Sequence, residues 1–365
     1  MRIQKLQLHN FRNYENLTMD FSPGVNILYG DNAQGKTNLL EAIYLAATTK
    51  GIRNNKDREM IRLGQEDAHL CVLLEKSGVP HKIDMHLRMG KAKAAAIDGL
   101  RIKKSSELLG LLHTVSFSPD DLSMVKNGPS ERRRFIDMEL CQLNPVYCSN
   151  LTNYNKILMQ RNNLLHQIGY TPSLRDTLEV WDEQLVTYGK EIVRERGNFL
   201  AELSEIVREK MKILTGQKED LQMSYEPDVE AEQFADILKK SLERDLYMKA
   251  TSHGPHRDDV SFYINDMNVR FFGSQGQQRT VVLALKLADI HLVREKIKES
   301  PVLLLDDVLS ELDRSRQLQL LGEITDVQTI VTCTGMEEFV NYRAENDSQN
   351  VFLVKNGTVD RKEYL

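Results

Sequence analysis

Three short runs of residues carry types and spacings that could do chemistry. Gly30-Asp31-Asn32-Ala33-Gln34-Gly35-Lys36-Thr37 fits G-x-x-x-x-G-K-[ST] at every fixed position. In such a loop the glycines let the backbone curl, so that amides and the following helix N-terminus point at phosphate oxygens. Lys36 would reach the outer phosphates, and the Thr37 hydroxyl would hold Mg²⁺. Pro301-Val302-Leu303-Leu304-Leu305-Asp306-Asp307 is an apolar run ending in two acids. A phosphate loop needs such an end: Asp306 for the metal shell, Asp307 to polarise an attacking water. Ser274-Gln275-Gly276-Gln277-Gln278-Arg279 combines a capping serine with a glycine ahead of a helical pattern, which makes an anion site at a helix start. The loop at 30–37 already serves the nucleotide of its own chain, so this second site fits a phosphate presented by another copy.

These runs need particular elements around them. Val25-Asn26-Ile27-Leu28-Tyr29 reads as a buried strand, and Thr37 to Leu45 follows a helical apolar pattern. The phosphate loop thus sits between strand and helix. Alternation at Ile3, Leu6, Leu8 and at Leu17, Met19, Phe21 predicts a hairpin before that strand, and residues 68–102 predict a mostly antiparallel sheet. After Ser118-Pro119-Asp120-Asp121-Leu122 the pattern turns helical: two long amphipathic stretches joined at Tyr170-Thr171-Pro172-Ser173 predict a helical arm, with Gly189 and Gly197 as places for a bend. Strand signals return at 260–264 and 268–272, with a helix over 275–297 and apolar strands at 301–305 and 329–332. The expected fold is α/β, one domain of residues 1–118 and 251–365 interrupted by a helical insertion at 119–250.

Composition bounds the function. A chain of 365 residues with 41% hydrophobic and 28% charged residues is ordinary globular material of more than one domain. No run approaches the roughly 18 apolar residues of a membrane span, and the four cysteines fit neither a disulfide framework nor a zinc ribbon. A cytoplasmic location with reduced thiols is expected. The net charge of -5 divides as +5 over residues 1–112 and -5 over each of 113–250 and 251–365. A polyanion would therefore meet the first third or local basic clusters, of which there are four: Arg53, Lys56, Arg58, Arg62; Arg88, Lys91, Lys93; Arg101, Lys103, Lys104; and Arg132, Arg133, Arg134. His253-Gly254-Pro255-His256-Arg257-Asp258-Asp259 holds residue types that can ligate a metal, but Pro255 argues against a helical histidine pair, and a structural or DNA-facing turn is expected.

Taken together, N-F-R-N-Y at Asn10 to Tyr14, the phosphate loop, S-Q-G-Q-Q-R at Ser274 to Arg279 and L-L-L-D-D-V-L-S-E-L-D at Leu303 to Asp313 resemble the ABC-type ATPases of DNA repair that include SMC and Rad50 proteins. F-S-P-D-D-L at Phe117 to Leu122 and G-P-H-R-D-D at Gly254 to Asp259 are similar to the RecF family over essentially the full chain. The alternative is a Rad50-like enzyme acting on DNA ends, against which stands the short insertion. A transporter ATPase is a third and poorer fit.

The resemblance implies an ABC-type P-loop ATPase head with an inserted helical lobe, ATP and Mg²⁺ as cofactors, and an ATP-dependent homodimer. It implies DNA as partner, at gaps or duplex/single-strand junctions, and cooperation with RecR and RecO in loading RecA, with links to replication and the SOS response. It also assigns residues. Lys36, Asp306 and Asp307 would be catalytic, and Thr37 and Asp306 would serve the metal. Arg12, Asn13, Gly30, Asp31, Asn32, Ala33, Gln34, Gly35, Lys36, Thr37 and Asn38 would contact the nucleotide, as would Ser274, Gln275 and Gly276 from a second copy. Thr332-Cys333-Thr334 stands where transporter-type relatives carry a histidine, so slow hydrolysis is expected.

Overall fold

A computed structural model describes residues 1–52, 56–309, 312–323, 326–334 and 350–362. The chain divides into two compact units, Met1–Asp121 with Lys286–Leu365, and Leu122–Leu285.

The first unit is built on two six-stranded sheets. One runs Thr358–Lys362, Asn350–Lys355, Val25–Tyr29, Thr329–Cys333, Val302–Asp306, Thr114–Phe117, and all its pairs except the first are parallel. Val302–Asp306 and Thr329–Cys333 are buried at every position, which explains why they read as unbroken apolar runs and not as alternation. The other sheet is antiparallel, in the order Tyr14–Asp20, Arg2–Phe11, Asp67–Lys76, Val79–Arg88, Ala94–Ile97, Leu100–Arg101. Alternate residues are buried where the alternation predicts it, at Leu17 and Met19 in one strand and at Ile83, Met85 and Leu87 in another. Helix Lys36–Thr48 is buried over nearly its whole length, and Leu39, Leu40 and Ile43 join Leu6, Leu70 and Ile83 of one sheet and Leu28, Leu304 and Ile330 of the other in one continuous core. A helix buried on all sides holds the loop that precedes it firmly.

The second unit holds the long helices Pro129–Leu143, Pro145–Ile168 and Leu178–Thr215. Asn144 starts the second of these: its Oδ1 accepts from the amides of Val146 (3.0 Å) and Tyr147 (3.2 Å), and Pro145 occupies the first helical position. The third runs 38 residues without interruption and ends at Gly216 in the left-handed region. Two fully or nearly fully buried arginines tie the unit together. Arg161 donates to Asp182, Asp245 and Thr251 at 2.6, 2.7 and 2.9 Å, and Arg196 to Asp137, Asp258 and the Pro255 carbonyl at 2.8, 2.8 and 2.6 Å.

Two expectations need correction here. Residues 251–285 belong with the second unit and not with the head, because Asp259–Ile264 pairs with Leu221–Glu226 and Met267–Asn268 in a three-stranded sheet. The insertion is therefore not purely helical. The strand expected over 268–272 is only Met267–Asn268, followed by a helical turn Val269–Phe272. The Asn268 side chain accepts from the Arg270 amide at 3.0 Å and the Gly273 amide returns to the Val269 carbonyl, local bonds that outcompete a ladder. The helix over Gln275–Ile297 matches its expected bounds.

Candidate nucleotide-binding site

Three adjacent parallel strands bring the site together at their C-terminal ends, where open α/β sheets place ligands. Val25–Tyr29 delivers the phosphate loop, Val302–Asp306 delivers its last residue, and Thr329–Cys333 lies between them, with Asp306 opposite Thr332 and Cys333 opposite Tyr29. The loop backbone needs its glycines. Gly30 has φ +150, and a Cβ there would lie 2.3 Å from the Val354 carbonyl oxygen; at Gly35, φ +115, a Cβ would meet the Asn13 amide and Tyr14 hydroxyl at 2.5–2.8 Å.

Within the loop the Lys36 ammonium donates to the Gly30 and Asp31 carbonyls at 2.6 and 2.8 Å. Burial pushes its pKa down, opposed chiefly by the neighbouring charge of Asp307. Thr37 Oγ1 donates to Asp306 Oδ1 at 2.8 Å, and Thr332 Oγ1 donates to the same oxygen at 2.9 Å. Thr332 also accepts from the Asp307 amide at 2.9 Å. Asp307 itself sits at φ +55, a left-handed conformation that aspartate tolerates better than most residues. These groups line an open pocket of about 390 Å³ formed by Asn32, Ala33, Gly35, Lys36, Thr37, Asn38, Pro119, Asp120, Asp306, Asp307 and Thr332.

Not every residue assigned from sequence lines that pocket. Arg12 is engaged elsewhere: its guanidinium binds Glu41 at 2.7 and 3.0 Å and the Glu59 carbonyl at 2.6 Å. Asn13 braces the loop from outside, donating to the Gln34 carbonyl at 2.9 Å and accepting from Asn38 at 2.8 Å. The Gln34 side chain turns away from the pocket and accepts from the Asn356 amide at 2.7 Å. Gly30 and Asp31 contribute the carbonyls that hold Lys36. Ser274, Gln275 and Gly276 lie in the second unit, all exposed, where Ser274 and Gln277 form a reciprocal cap at 2.9 and 3.2 Å. Ser310 and Glu311, expected beside a subunit junction, fall outside the described residues.

Sequence reasoning does not find Pro119 and Asp120 as pocket residues, whereas Thr332 lies in the segment it set at the site. Pro119 and Asp120 sit in the F-S-P-D-D-L run, and nothing in that run says that it folds beside the phosphate loop. Among the described residues no group of three or more His, Cys, Asp and Glu is arranged for a metal, and His253 and His256 serve a turn. No described helix is long and apolar enough to cross a membrane.

The family model described as the RecF/RecN/SMC N terminal domain matches residues 2–360. A DNA replication and repair protein RecF from Lachnoclostridium phytofermentans is 57% identical over 361 residues, spanning 99% of this chain and all of that one. The chain belongs to the RecF family. A second RecF relative, from Agathobacter rectalis, is 52% identical over 99% of both chains. Among solved structures, one described as the recombination mediator protein RecF with ATP in the RecFOR pathway superposes with a TM-score of 0.92 at 33% identity, over 99% of this chain and 97% of that one. The Smc head domain from Pyrococcus furiosus, at 16% identity and a TM-score of 0.56, shares the fold over 99% of this chain and 95% of its own. The fold is thus that of an ABC-type ATPase head of the RecF and SMC kind.

Proposed function

We propose that this protein is an ATP-binding ATPase of DNA replication and repair, in which ATP joins two copies into a DNA-binding clamp. The observation that carries the reading is the Thr37–Asp306 hydrogen bond at 2.8 Å, which unites the phosphate loop and the acid-ended strand in one pocket. RecF relatives described with ATP and with the RecFOR pathway support it. The Thr37 hydroxyl and Asp306 carboxylate are hard oxygen donors that suit Mg²⁺. When bound, that ion would neutralise charge on the β- and γ-phosphates. Lys36 would bind the outer phosphates and Asp307 would orient the attacking water. Thr332-Cys333-Thr334, which holds no positive charge, stands where a cationic group would otherwise speed the step, so hydrolysis is slow and ATP acts as a switch.

Ser274, Gln275 and Gly276 of a second copy would complete the nucleotide's shell. The clamp would act at gaps or duplex/single-strand junctions, with RecO and RecR, to help load RecA. The helix of 38 residues stands where the Rad50-like alternative needs a far longer coiled coil.

Sedimentation with and without ATP tests the reading. ATP should shift the unmodified chain to a dimer, Lys36→Met should lose both ATP binding and the shift, and Ser274→Arg should bind ATP but stay monomeric. ATP-dependent dimerisation that survives Ser274→Arg rejects the shared site.

A further inference from the structure

Two motifs contribute no residue to the lining of the nucleotide pocket, Arg132-Arg133-Arg134 and the turn Gly254 to Asp259. The second unit brings them to one open pocket of about 220 Å³, lined by Arg133, Asp137, Tyr154, Asn155, Arg196 and His256. At about 30 Å³ per water that volume holds roughly seven waters, more than one ion and enough for a phosphate with part of its sugar.

The local hydrogen bonds show which of these groups are spent. Arg132 is taken bidentately by Asp259 at 2.6 and 2.9 Å. Arg196 is saturated by Asp137, Asp258, the Tyr147 hydroxyl and the Pro255 carbonyl. Asp137 is tied to the same cation, its Oδ1 accepting from Arg196 and from the Tyr147 hydroxyl. His256 lies 3.2 Å through Nε2 from the Thr251 carbonyl, which can only accept, so Nε2 carries the proton and Nδ1 accepts from the Tyr154 hydroxyl at 2.7 Å. Gly254, at φ +134, permits this approach, because a Cβ there would lie 2.5 Å from the Tyr154 hydroxyl oxygen.

Arg133 differs from its neighbours. Its one hydrogen bond among the described residues is from Nη1 to the Asp258 main-chain carbonyl at 2.6 Å, and it makes no ion pair there. A guanidinium has five N–H donors in a planar fork. Burial, with the like charge of Arg196 next, pushes the Arg133 pKa down, so its cation is held at a cost that a bound anion would relieve. Of the two guanidiniums in the pocket walls, Arg196 is spent on Asp137 and Asp258, so Arg133 is the cation left to face a ligand, and the exposed Asn155 also lines the pocket.

We propose that this pocket is a phosphate-binding site separate from the ATP site, with Arg133 as its anchoring cation and Asn155 as a second donor. The phosphate comes either from a free nucleotide or from the backbone of a nucleic acid, since both present the same oxyanion. His256 takes no part in charge, because it is neutral and both ring nitrogens are engaged.

The test uses the full chain carrying Lys36→Met, so that the phosphate loop does not mask a second site. Calorimetric titration with inorganic phosphate should show one site. Adding Arg133→Gln should weaken it about tenfold or more, as expected for a lost charge-assisted contact, whereas Arg133→Lys should stay within about threefold. Asn155→Asp, which places an anion in the pocket lining without touching the Asp258 contact, should also abolish binding and covers the case in which Arg133→Gln unfolds the chain. AMP and an oligothymidylate without terminal phosphate separate the sources: whichever ligand loses affinity on Arg133→Gln identifies the natural one, and either result supports the site. Absence of phosphate binding in the Lys36→Met chain, or affinity undiminished from that chain when Arg133→Gln and Asn155→Asp are added to it, overturns the proposal.

Discussion

Individual residues in this chain are set by partners far away in sequence. His256 is the clearest case. Burial depresses its pKa from 6.5 to about 4, so the unfolded chain takes up a proton before the folded one does. Its contribution to stability is therefore complete above pH 6.5 and is lost as pH falls from 6.5 toward 4, by about 1.4 kcal/mol per pH unit and about 3 kcal/mol in all. Urea denaturation between pH 7.5 and 5 should show that slope, and His256→Gln should flatten it. An unchanged slope in the variant would place the titration on another group. The sequence shows a histidine in a turn, which the structure bears out at Pro255–Arg257. It does not show that the hydroxyl of Tyr154, 102 positions earlier, meets the His256 Nδ1.

At the scale of elements, legibility depends on whether local pattern and tertiary role agree. They agree for the phosphate loop, the acid-ended strand and the helix Gln275–Ile297, and all three are readable. The turn Val269–Phe272 reads wrongly as a strand because Val, Phe and Phe favour strands, while the Asn268 cap and Gly273 decide for a helix. Likewise the buried Arg161 looks like any surface arginine in sequence, since Asp182 and Asp245 lie 21 and 84 residues away. The long helix Leu178–Thr215 makes a sharper point, because its two internal glycines look alike in sequence, each a place for a bend. A Cβ at Gly189 would lie 2.4 Å from the Phe234 ring and 3.2 Å from that of Tyr154, whereas at Gly197 the nearest atom is Tyr225 at 3.9 Å. Gly189→Ala should then cost about 1–3 kcal/mol through overpacking, while Gly197→Ala should stabilise by roughly 0.5–1 kcal/mol through helix propensity. Thermal melts of the two variants should move in opposite directions. Equal shifts would mean that glycine serves flexibility at both positions and close packing at neither.

At the scale of the whole molecule, a net charge of -5 must still accommodate the proposed DNA contact, so the usable cations have to be local. The four basic clusters are not equivalent. Arg132 is locked to Asp259, Arg134 lies 3.9 Å from Glu131, Arg62 pairs with Glu15 and Lys93 with Asp57. Arg53 falls outside the described residues. Arg101, Lys103 and Lys104 are exposed on one short segment of the first unit, as are Arg88 and Lys91 nearby in sequence. Backbone phosphates contacted by exposed lysine and arginine release counterions, so log affinity falls linearly with log salt, by about 0.9 for each phosphate neutralised on duplex DNA. Alanine at Arg101, Lys103 and Lys104 together should therefore weaken duplex binding in the presence of ATP and reduce the salt slope by up to about 2.7. Arg132→Ala should instead destabilise the second unit, because it leaves Asp259 without its cation, and leave the slope as it was. Titrations of labelled duplex at several salt concentrations distinguish the two. A slope unaffected by the triple substitution would move the DNA contact to Arg88 and Lys91 or to a surface made only when two copies meet.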